Sequence, residues 1–138
     1  MQSEKRIKSI CHNIAHHAIS GLSYLNPHLY DVSNSDNSNF IILDLLAINP
    51  CPEKYHSNQY LFNAAGTLKT KFEEMLKTEN YSIDSFEKAT LRFEFPLEDS
   101  NCTNCEAQFV TKRGLKIIYY LDYTGKTIRS SISKIKHL

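Results

Sequence analysis

Four of the chain's six histidines fall in residues 11–29, CHNIAHHAISGLSYLNPHL, with Cys11 at one end. These side chains bind transition metals and pair as base and nucleophile. His12 and His16 are four residues apart, a spacing that sets two imidazoles side by side on a helix, within reach of one ion. A zinc site needs three or four protein ligands, and the metalloprotease pattern HExxH needs a glutamate after the first histidine. Position 13 is asparagine. The pair is therefore expected to be two solvated helix histidines. His17 is expected at the edge of the helix's apolar stripe, and His28, after Pro27, at the helix end.

Cys102 and Cys105 form a CxxC. A zinc site would add a second such pair or nearby histidines, and Cys11 and Cys51 are far away in sequence. A redox CxxC opens a helix that follows a strand, whereas this one lies between two predicted strands, where a polar hairpin tip is expected. No metal or cofactor is expected. A small enzyme with a cysteine–histidine site stays open as an alternative, because the residue types are present. Glycine occurs only at 21, 66, 114 and 125, so no loop can cradle phosphate, and nothing resembles a nucleophile elbow.

The elements that would carry these residues are legible in the apolar periodicity. Ile7, Ile10, Cys11, Ile14, Ala18, Leu22 and Leu25 repeat at the helical period over residues 4–25, and Asn26-Pro27 stops the run. Residues 31–39, DVSNSDNSN, read as a loop. Residues 40–48, FIILDLLAI, suit a central strand by length and β-branching, with a buried helix as the alternative. A second loop, NPCPEKYHSN, precedes a helix from about Asn58 to Lys77, striped by Leu61, Ala65, Leu68, Phe72, Met75 and Leu76. From Ala89 the period becomes two, with Leu91, Phe93, Phe95 and Leu97 opposite Thr90, Arg92, Glu94 and Pro96. Three more strands are predicted near 105–112, 115–123 and 127–135, with turns at Arg113-Gly114 and Thr124-Gly125. Tyr119 and Tyr120 fall on opposite faces of their strand and form no stacking platform. The order predicts a single α+β domain over 1–138. It is a two-layer sandwich: a mostly antiparallel sheet of four to five strands with two helices on one face.

The composition, 41% hydrophobic and 22% charged, excludes a disordered chain. The longest apolar run is broken by Asp44, so no membrane partner is expected. Polar residues follow the basic N-terminus where a secretory signal needs an apolar stretch, so the expected compartment is the cytoplasm, with the cysteines as thiols. A net charge of +1 conceals a strong division. Residues 1–30 carry three basic and one acidic side chain, residues 31–108 six and thirteen, and residues 109–138 seven and one. Such blocks are often no more than solvated faces. Functionally, the basic C-terminal strands would suit a small nucleic-acid-binding module, and the acidic loops a basic protein partner.

The stretch IAHHAISGLSYLNPHL, followed by a polar loop and FIILDLL, resembles small bacterial immunity proteins paired with contact-dependent growth inhibition toxins. The resemblance covers residues 14–46. It implies a cytosolic protein, not an enzyme, that binds one cognate toxin domain, often a nuclease, and blocks its active site. A nuclease presents positive charge to phosphates, so its inhibitor gains association rate from carboxylates. The partner-binding residues expected on this ground are Asp31 and Asp36 in the first loop, Glu53 in the second, and Glu98 and Asp99 at the hairpin. Asp44, inside the apolar run, is expected to be structural. Nucleic acid is the less favoured partner.

Overall fold

In the computed structural model, which describes residues 2–22, 33–34, 38–96 and 104–135, helix α1 spans Gln2–Leu22. It buries the expected stripe from Ile7 to Leu22, and Ala15 and Ile19 as well. The arc is wider than one stripe because α1 packs against two neighbours, the second helix and the sheet. Helix α2 spans Gln59–Thr78 and opens with a side-chain cap, in which Asn58 Oδ1 accepts from the Leu61 amide at 3.0 Å. Its buried stripe is Leu61, Ala65, Leu68, Phe72 and Leu76. It ends where Asn80 turns left-handed (φ 61°), so that the amides of Asn80 and Tyr81 close back on the carbonyls of Lys77 and Leu76.

The strands are β1 (Ser33–Asn34), β2 (Ser38–Asp44), β3 (Phe86–Pro96), β4 (Asn104–Thr111), β5 (Leu115–Leu121) and β6 (Thr127–Lys134). They lie in chain order in one sheet, and every neighbouring pair is antiparallel. The layout is the α+β arrangement expected from the order of elements, with both helices on one face. The turns into β5 and β6 need positive φ, which Gly114 (94°) and Gly125 (87°) supply. Ile41, Leu43, Leu91, Phe93, Ala107, Phe109, Ile117 and Leu121 point inward toward the helices. Phe72 of α2 meets Phe86 and Phe109 with ring centroids 5.3 and 5.7 Å apart, an aromatic knot that fixes the helix on the sheet.

Two expectations change. The apolar run 40–48 is a strand only as far as Asp44; residues 45–50 then turn, although Leu45 stays buried. The turn is made by the carboxylate, since Asp44 Oδ1 accepts from the Leu46 amide at 3.0 Å. The polar stretch 31–39 is not all loop, because Ser33–Asn34 pairs with the start of β2 and makes that strand internal. The first helix, expected through residue 25, is described to Leu22; residues 23–25 and His28 lie outside the described part. The second face of the sheet carries Phe40, Ile42, Arg92, Glu94, Glu106, Gln108, Ile118, Tyr120 and Arg129 and is covered by neither helix.

Candidate protein-binding surface

The turn after β2 is held at several points. The Asp44 amide donates to Pro50 O at 3.0 Å, the Ala47 amide to Asp44 O at 3.2 Å, and Lys69 of α2 donates its Nζ to Ala47 O. At its tip Ile48 is 94% exposed, the most exposed large apolar side chain among the described residues. Fully burying such a side chain is worth about 1.5–3 kcal/mol. Below the tip lies an open groove of about 550 Å³, whose walls include Ile42, Asp44, Pro52, Glu53 and His56. Ile42 is 40% exposed and, with Phe40 and Asp44, continues the groove along the outer face of β2.

His56 closes the far wall. Its Nε2 donates to Cys51 O at 2.9 Å, and its ring meets the edge of the part-exposed Phe62 at 5.1 Å. Glu53 opens the 3-10 turn Glu53–Tyr55 and is exposed at the rim. No Lys or Arg lines the groove among the described residues. The arrangement is therefore apolar anchors flanked by two carboxylates, Asp44 and Glu53, in a frame fixed by backbone hydrogen bonds.

Of the five carboxylates expected at the contact, only Glu53 is placed. Asp31, Asp36, Glu98 and Asp99 lie outside the described residues. The strand ends that flank their loops are nevertheless informative. Ser38 pairs with Pro96, so the β1–β2 and β3–β4 connections leave the same end of the sheet. Glu53 follows the opposite end of β2, seven residues or roughly 20 Å away. The described strand ends that flank the first and third acidic loops thus lie at one end of β2 and Glu53 at the other, with the outer face of β2 between them. Asp44 is structural, as expected, though through a turn rather than within a strand, and it also lines the groove. The exposure of Ile48 was missed, since an apolar run gives no sign of where its chain turns out to solvent.

The histidine and cysteine candidates resolve differently. His12 and His16 are not solvated; both are half-buried beneath the β5–β6 hairpin. His12 Nε2 lies 3.3 Å from Thr127 Oγ1, and its ring is 4.7 Å from His16 and 5.0 Å from Tyr119. Burial, and secondarily the charge of His16, hold the His12 imidazole below its ordinary range. Tyr119 in turn donates its hydroxyl to Lys8 O at 3.2 Å. His17 is exposed at the margin. Among the described residues no group of three His, Cys, Asp or Glu is placed to hold a metal ion. Cys105 is no hairpin-tip residue: it faces inward between Phe93 and Leu121. Cys102 lies outside the described part. Burial pushes the thiols of Cys11, Cys51 and Cys105 up, which disfavours the thiolate.

No described helix is long and apolar enough to cross a membrane. Compared with family models, curated proteins and solved structures, the chain matches none.

Proposed function

We propose that this chain binds a cognate bacterial toxin protein and neutralises it, with the groove beyond β2 at the centre of the contact. The observation that carries the reading is Ile48, exposed on a braced turn whose neighbouring residues Ala47 and Asn49 line the groove together with the carboxylates Asp44 and Glu53. Stable protein interfaces have apolar anchors at the centre and charged groups on the rim, which steer association. The partner class comes from the resemblance over residues 14–46. Acidic rims suit a partner whose own site attracts phosphate, which fits a nuclease domain.

The basic C-terminal strands favour a nucleic-acid ligand less. On the open face Arg92, Lys116 and Arg129 share the sheet with Glu94 and Glu106. Arg92 lies over the Phe40 ring at 4.4 Å with Glu94 3.7 Å away, Arg129 covers Tyr120 at 4.7 Å, and Lys134 stands 3.8 Å from Glu4. Binding to phosphates needs a continuous basic face, which this alternation breaks.

The test is co-expression with the product of the neighbouring gene in a susceptible cell. Survival should require this chain, and Ile48→Asp/Glu53→Lys should abolish protection while the protein stays folded. Equal survival with and without the chain would overturn the proposal.

A further inference from the structure

At the edge of the sheet opposite β1, the outer side of β6 pairs with no other described strand, and Ile128 and Ile132 stand 55% and 43% exposed on its helix-side face. Register sets the face of Ile132, which is opposite Ile117, as Ser130 is opposite Tyr119, both inward residues. Ile128 has no partner in β5, since it is the extra residue of a bulge, and takes its face from alternation with Arg129, which is opposite the outward Tyr120. α1 packs mainly over β4 and β5 and reaches β6 at its two ends, through His12 to Thr127 and Glu4 to Lys134, while Ile128 and Ile132 between them stay exposed. A bare edge is a template for another strand, and proteins blunt such edges with central lysines, prolines or bulges. Here residues 127–133, TIRSSIS, contain no lysine or proline, and the one bulge falls at Ile128, leaving Arg129 to Lys134 in regular pairing with β5. The one charge in the middle, Arg129, points to the other face and lies over Tyr120.

We infer that β6 pairs antiparallel with β6 of a second copy of this chain, about a two-fold axis through Ser130. The pattern is self-complementary in that register alone. An antiparallel pair related by a two-fold places residues opposite one another symmetrically about a central residue, on the same face. Centred on Ser130, Ile128 meets Ile132 of the partner subunit and Ile132 meets Ile128 of the partner subunit, while Arg129 meets Ser131 of the partner subunit. Centred on Arg129 instead, the arginines would face each other; centred on Ser131, Ile128 would face Lys134 of the partner subunit. The Ser130 register therefore buries the isoleucines in one cluster flanked by both α1 helices and joins the two sheets into one. Lys126 and Lys134 approach only at the ends of the ladder, where Glu4 stands 3.8 Å from Lys134. A single strand pair is smaller than a standard interface, so association belongs in the micromolar range. The edge lies across the sheet from the groove beyond β2, so the dimer leaves that groove open.

Sedimentation equilibrium of the full chain between about 5 and 500 µM tests the inference, with a weight-average mass rising from monomer toward dimer as the expected result. In a Cys102→Ser background, Ser130→Cys should cross-link across the axis under mild oxidation at least about tenfold faster than Ser131→Cys, because only residue 130 faces its own copy at disulfide distance. Ile132→Lys should leave a folded monomer, and Ile128→Lys/Ile132→Glu should restore the dimer by placing opposite charges across both pairs. A monomer throughout the range, equal cross-linking at 130 and 131, or undiminished association of Ile132→Lys would each overturn it.

Discussion

His12 of α1 and Thr127 of β6 meet across the sandwich, Nε2 to Oγ1 at 3.3 Å, which ties the first helix to the last strand. The His12 imidazole is held below its ordinary range by burial and by His16. The unfolded chain therefore takes up a proton that the folded one resists. This contribution to stability is complete above about pH 6.5 and is lost as the pH falls below it toward the folded-state value. Urea unfolding at a series of pH values should show that fall, and His12→Gln should flatten it. An unchanged slope in the variant would remove His12 as the cause.

Phe93 and Glu94 are adjacent in β3 but belong to opposite faces. Phe93 is fully buried, while Glu94 borders solvent beside Arg92. Phe93→Ala should cost about 3–5 kcal/mol and Glu94→Ala less than about 1 kcal/mol in equilibrium urea unfolding.

Two glycines should respond in opposite directions to alanine. Gly125 has φ 87°, and a Cβ there would meet the His16 ring at 3.4 Å, so Gly125→Ala should lose about 1–3 kcal/mol. Gly66 sits in α2 with nothing within 4 Å of an added Cβ, so Gly66→Ala should gain about 0.5–1 kcal/mol. Paired denaturation curves check both.

Cys11, Cys51 and Cys105 are buried thiols. In a Cys102→Ser variant a disulfide reagent should label the folded protein only at the rate of unfolding, and label all three once urea is added. Rapid labelling of the native chain would place a thiol at the surface.

The sequence exposed most of this architecture because single-face burial leaves a clear period. The alternation from Ala89 to Phe93 and the turns at Gly114 and Gly125 were readable for that reason. Helix α1 was harder. It touches two layers and a hairpin, so a wheel centred on one stripe put His12 and His16 in water, although the β5–β6 hairpin covers them. The candidate groove was the least legible part. Asp44 looks like an interruption in an apolar run, yet its carboxylate turns the chain, buries Leu45 and puts Ile48 into solvent. No local period encodes that reversal. Glu53 was singled out through charge, but its place at the end of β2 opposite Ser38 and Pro96 depends on strand pairing.

The central claim is that Ile48 and Glu53 anchor a toxin partner, and the affinity of the purified chain for the toxin domain encoded beside it tests this most directly. Calorimetric titration should give tight binding. Ile48→Ala should lose at least about 2 kcal/mol, some 30-fold, as an interface anchor does. Glu53→Lys should slow association and reduce its salt dependence. Gly66→Ala, on α2, should bind as the parent does. No association at micromolar concentration, or the same affinity for Ile48→Ala as for the parent, would contradict the account.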